Sequence, residues 1–99
     1  MRTDASIKLA FCWAHARRPF YEEYTSSQSP LAAEALARIA KLYEIEADIR
    51  GQPPDVRRAV RQARSRPLVE DLHVWIQDRL PRLPGWTDLA KAMRYVLRH

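Results

Sequence analysis

SPLAAEALARIAKLYEIEADIRG, Ser29 to Gly51, carries the local signals of one complete helix. Ser29 can cap the first exposed amides with its hydroxyl, and Pro30 occupies the first helical position, where its missing N–H costs nothing. Ala32, Ala35, Leu36, Ile39, Leu42, Tyr43 and Ile49 then recur as an apolar stripe, and Gly51 supplies the stop. A helix over Pro30–Arg50 with one apolar face needs partners of the same kind, and the rest of the chain offers them.

Upstream, Thr25–Ser29 is a polar break. Trp13, Ala16, Phe20 and Tyr24 before it share one face of a helix over Trp13–Tyr24, and Pro19 inside that span predicts a kink or a restart. Ile7–Cys12 is short and apolar enough for a strand, but no second strand lies nearby. Its unpaired backbone would fray, lengthen the following helix, or seek another chain. Downstream, Pro53-Pro54-Asp55 opens a third helix with Val56, Val60 and Ala63 on one side and Arg57, Arg61 and Arg64 on a neighbouring face. Pro67 interrupts it, and Leu68, Leu72, Trp75, Ile76 and Leu80 continue it, as a bent helix or as two abutting ones. Pro81–Gly85 is a turn, and Thr87 caps a last helix bearing Leu89, Ala90, Met93, Val96 and Leu97.

Composition agrees. Ala, Leu, Arg and Glu favour helices, and two Gly in 99 residues argue against a turn-rich β fold. The expected fold is all-α, about four helices in a small bundle with a short orphan N-terminal strand or arm. The net charge of +5 suits an acidic partner, nucleic acid first. Fourteen of the 17 cations are Arg, a skew that GC-rich coding also produces. One Cys excludes an internal disulfide and fits a reducing compartment, and neither an export signal nor a membrane span is visible, so the expected location is the cytoplasm.

The densest chemistry lies in Cys12-Trp13-Ala14-His15-Ala16-Arg17-Arg18. Cys12 and His15 have the spacing of a zinc pair, but a structural zinc needs four ligands, and His73 and His99 add no second pair. Packing of Cys12 beside a hydrogen-bonded His15 is the competing reading. A nucleophile–base dyad finds no orienting acid or oxyanion loop. Arg57, Arg58, Arg61, Arg64 and Arg66 form either a phosphate-contacting row or a solvated face, and Arg17 and Arg18 are further candidates for DNA. Trp75, Trp86 and Tyr43 sit at helix-face spacing and are expected in the core. The acids Glu22/Glu23, Glu44/Glu46/Asp48 and Glu70/Asp71 are expected to pair within their own helices, with no metal set among them.

Taken together, Cys12–Arg18 followed by Phe20, then Leu42-Tyr43-Glu44-Ile45-Glu46, Arg64-Ser65-Arg66-Pro67-Leu68 and Lys91-Ala92-Met93-Arg94-Tyr95, resemble in order and spacing the insertion sequence 66 family of bacterial transposases, whose corresponding first segment reads CWAHARRKF. The resemblance runs from Phe11 to Leu97. It implies an RNase H-like enzyme in which two Asp and one Glu hold divalent metal, Mg2+, for DNA cleavage and strand transfer. On this reading residues 1–24 are the end of that core, 25–83 a helical insertion, and 84–99 the start of the helix leading back. The catalytic acids would then lie outside this chain, which holds no catalytic or metal-binding residue and is inactive alone. Cys12, Trp13, His15, Arg17 and Arg18 match the family signature; Pro19 stands where the family has Lys. The implied partners are DNA and a full-length transposase or a second copy joined through the orphan strand, with no membrane. The alternative is a free-standing helical DNA-binding or regulatory module acting on a transposase, and a remnant reading frame without a role is a third reading.

Overall fold

The computed structural model describes the backbone of residues 2–98 and the side chains of residues 13–98. Helix α1 spans Arg2–Ser27, α2 Pro30–Asp48 and α3 Pro54–Val60. A π-helical turn over Arg61–Ser65 joins α3 to α4, Arg66–Arg79. A 3-10 turn at Leu80–Arg82 and a short loop lead to α5, Asp88–Arg98. Since α3, the π turn and α4 run on without a break, four helical bodies result, as expected.

Of the outcomes expected for the apolar run before Trp13, the described backbone takes the lengthened helix. Residues 7–11 belong to a helix that reaches back to Arg2. A strand without a neighbour leaves its N–H and C=O groups unpaired, whereas a helix satisfies them within its own segment. Pro19 lies inside α1 and does not restart it.

At Pro67 the outcome differs. Pro67 lacks the amide that would close its turn, and its ring presses on the carbonyl four residues back. The chain inserts a π turn just upstream, closed by Arg66 N–H donating to the carbonyl of Arg61. The helix bends its register and goes on, so the bent-helix alternative is the one realised.

The caps act as read. Ser29 Oγ accepts from Ala32 N at 3.2 Å, and Thr87 Oγ1 accepts from Ala90 N at 3.2 Å. α2 stops at Asp48, two residues short of the expected Arg50, and Gly51 turns the chain at φ +86°.

α1 packs on α2 and α5, and α4 packs on the same two helices. Ala16 and Phe20 of α1, Ala32, Ala35 and Ile39 of α2, Leu72 and Ile76 of α4, and Leu89, Ala92, Met93 and Val96 of α5 form one buried cluster. Burying each large side chain contributes roughly 1.5–3 kcal/mol. Arg38 ties α2 to α4, with its guanidinium 5.2 Å from the Trp75 ring while its Nε donates to Glu34 at 2.9 Å.

Several apolar positions expected to face inward are not buried. Tyr43 is exposed at the edge of the α2 stripe, and Ile45 is buried instead. Trp86 stands in the loop before α5, on no helix face, with 78% of its surface exposed. Helix α3 buries none of its residues, Val56 and Ala63 lie exposed, and Val60 is half-buried.

Candidate functional site

The arginine row expected to meet phosphate splits into two kinds of side chain. Arg61 makes a forked pair across the chain with Glu46 of α2, Nε to Oε2 at 2.8 Å and Nη2 to Oε1 at 2.6 Å. Both side chains are at least three-quarters removed from solvent. Hydrogen bonding to Glu46 raises the Arg61 pKa above the ordinary guanidinium range; burial opposes this, and the charge of Glu46 adds to it. Arg61 is thus a strut between α2 and the π turn.

Arg57, Arg58 and Arg64 are freer. Arg64 meets Asp48 at 3.4 Å, with both side chains more than half exposed. Arg57 Nη1 donates to the backbone carbonyl of Gln52 at 2.8 Å, and Arg58 is exposed. Arg66 is held on its own helix by Glu70 at 3.2 Å and by Gln62.

The pairing of Glu46 and Asp48 across to the π turn corrects the expectation that they would pair within α2. An i,i+4 partner for Glu46 would be Arg50, but the helix ends before it. Glu22 with Arg18 at 3.3 Å and Glu70 with Arg66 do pair within their helices.

In the signature segment, Trp13 is half-buried against the core, Ala16 is buried, and His15 is exposed. Arg17 stacks over the Tyr21 ring at 5.1 Å, and Arg18 projects outward with 81% of its side chain exposed. The side chain of Cys12 and the whole of His99 lie outside the described residues, so the two readings of the Cys12–His15 pair both stand. Among the described residues no three His, Cys, Asp or Glu side chains converge, and these residues offer a divalent ion no donor set.

Sequence reasoning missed how the recognisable segments meet. Between α1 and α5 lies an open cleft of about 550 Å³, lined by His15, Pro19 and Glu22 on one wall and by Asp88, Lys91 and Tyr95 on the other. His15 of the first recognisable segment and Lys91, Ala92 and Tyr95 of the last, remote in the chain, share this cleft. Likewise Leu42–Glu46 lies on α2 and Arg64–Leu68 on the π turn and the start of α4 that pack against it, and the buried Ser65 hydroxyl there has no hydrogen-bond partner among the described residues. Only the order of the four segments was visible beforehand, and order says nothing about which two will face each other.

Among the described residues no helix is long and apolar enough to cross a membrane. The sequence profile described as Transposase IS66 family matches residues 1–99. Among curated relatives, the uncharacterized protein y4jD of Sinorhizobium fredii (strain NBRC 101917 / NGR234) is 40% identical over 96 residues, or 97% of this chain and 19% of the relative. From the same organism, the uncharacterized protein y4hP is 36% identical over 93% of this chain and 19% of its own length. The chain thus spans about a fifth of the length of the curated relatives it matches. No solved structure matches it significantly. The four segments in order and the match along the whole chain lead to one conclusion: this chain belongs to the IS66 family of transposases.

Proposed function

We propose that this chain is the helical, DNA-facing part of an IS66-type transposase, with strand cleavage and transfer carried out by acidic residues elsewhere in the enzyme. The observation that carries the reading is the arginine face of the α3–π segment. Arg57 holds a backbone carbonyl and Arg64 a long, exposed pair with Asp48, both of which a phosphate can replace, and Arg58 is exposed, while Arg61 is locked to Glu46 and keeps their helix in place. Arg17 and Arg18 present a second exposed pair of cations on α1.

The division into residues 25–83 as an insertion and residues 1–24 and 84–99 as its flanks has support from α1 packing on α5. An insertion must leave its host and return near the same place, which requires its two flanks to be neighbours. Metal-dependent phosphoryl transfer needs convergent acids, and the described part of the chain supplies no such set. The chemistry in this reading therefore belongs to the larger enzyme, in the cytoplasm, and this chain alone does not cut DNA.

The test is titration of a DNA duplex with the purified chain over a range of salt concentrations. Each neutralised phosphate contributes a slope of about −0.9 in log K against log salt. The combined Arg57→Gln, Arg58→Gln, Arg64→Gln variant is expected to flatten the slope by about two to three units and to leave the fold intact. Binding indifferent to salt, or absent, refutes the reading. Binding to a full-length family transposase without DNA affinity would favour the regulatory module instead.

A further inference from the structure

We propose that Trp86 is a stacking platform for an unpaired nucleobase, a contact that rests on the DNA-facing reading above and adds a second recognition mode to it. Trp86 is the most exposed of the large hydrophobic side chains described, at 78%. Its exposure is not that of a slack loop. Thr87 Oγ1 donates to the carbonyl of Pro84 at 2.9 Å, Thr87 N–H donates to the same carbonyl at 3.2 Å, and Thr87 Oγ1 also caps α5. From the helix itself, Arg94 Nη2 donates to the carbonyl of Gly85 at 3.0 Å. The guanidinium lies so near that a Cβ added at Gly85 would stand 3.9 Å from Arg94 Nη1. Pro81 and Pro84 stiffen the approach. The indole is therefore held out to solvent on a braced turn, with much of the entropy cost of ordering it already met by folding.

Charge selects the partner. From Leu80 to Arg98 the chain has four cations, Arg82, Lys91, Arg94 and Arg98, against the single anion Asp88. Among the described residues Arg82 meets Asp78, at 3.6 Å, and both are more than half exposed. A rigid aromatic face beside the Arg94 guanidinium, on a stretch with an excess of cations, suits a polyanion that carries flat rings, because the rings stack on the indole while the backbone charge is neutralised alongside. Within a duplex the faces of the bases are covered by their neighbours, so the fitting ligand is single-stranded or locally unpaired DNA.

The experiment measures binding of the whole chain to single-stranded oligothymidylate and to a duplex of equal length, for the native protein, Trp86→Ala and Trp86→Phe. Trp86→Ala is expected to weaken single-strand binding about tenfold without changing the salt slope, and to change duplex binding less than twofold. Trp86→Phe should keep most of the affinity. Equal losses on both DNAs, or no loss on either, overturn the proposal. So does a finding that Trp86→Ala turns a self-associated protein into a monomer while single-strand binding stays the same. Salt-dependent duplex binding through the arginine face with no effect at Trp86 overturns this inference alone; no binding of the native protein to either DNA overturns both.

Discussion

Where α1 and α5 meet α2 and α4, the molecule is held by apolar contact. Phe20, Ile39, Leu72, Ile76 and Met93 are sealed from water there. Where the far half of α2 meets the π turn, a charged fork from Glu46 to Arg61 spans the joint beside the buried Leu42, Ile45 and Ile49, and α3 beyond it buries nothing. The first region cannot open without exposing its core. The second can lose a pair and still keep its helices. The difference teaches where function can reside: arginines destined for phosphate need a support that is firm but not sunk in a core, and one locked ion pair holding a row of looser ones provides it.

The largest effect expected from breaking this comparison is at Phe20. Phe20→Ala removes a fully buried ring shared by the helices of the core and should cost about 3–5 kcal/mol in a urea unfolding curve. That is a large share of the stability of so small a domain. A cost near 1 kcal/mol would show that the apolar end is not the anchor.

Next comes the fork. Glu46→Gln should cost about 1–3 kcal/mol, because it takes the negative charge and one acceptor oxygen away from a part-buried guanidinium. A double-mutant cycle with Arg61→Gln should show that most of the loss is shared between the two. The sign of the pH dependence follows from the raised Arg61 pKa. Stability from a raised basic group is present below its unfolded value and is lost only as pH climbs through the folded one, above the working range. The difference in melting temperature between the native protein and Arg61→Gln should therefore stay constant from neutral pH to about pH 10. A difference that vanishes on the way would mean the fork is not what holds Arg61.

The same cycle on Arg64 and Asp48 should give about 0.2–1 kcal/mol at most, since the pair is exposed and long. A coupling as large as that of Arg61 and Glu46 would erase the division of the row into strut and contact residues. The smallest effect belongs to Ser65. Its buried hydroxyl has no partner among the described residues, so Ser65→Ala should be neutral or stabilising by up to about 1 kcal/mol. A clear loss of stability would reveal a partner for that hydroxyl at the π turn.

Helix existence and helix starts were legible at once, because a cap or a proline acts over three or four residues. Ser29 with Pro30, and Thr87 before α5, did what their chemistry demands. Boundaries that depend on competition were less legible. The apolar run before Trp13 suits a strand by composition, yet with no neighbouring strand the helix wins. α2 ended at Asp48, and that alone redirected Glu46 from Arg50 to Arg61. Trp86 has the spacing of a core residue, but a loop position removes it from any helix face.

By itself, the sequence determined that this protein is helical, where most of its helices begin, and which family its four recognisable segments belong to. Only the tertiary structure decided which segments face each other, which arginine is a strut, and that one tryptophan points to water. The physical reason is a matter of range. Caps, prolines and helical periodicity work within one or two turns, whereas an ion pair or a buried contact depends on which faces meet across fifteen or seventy residues of chain.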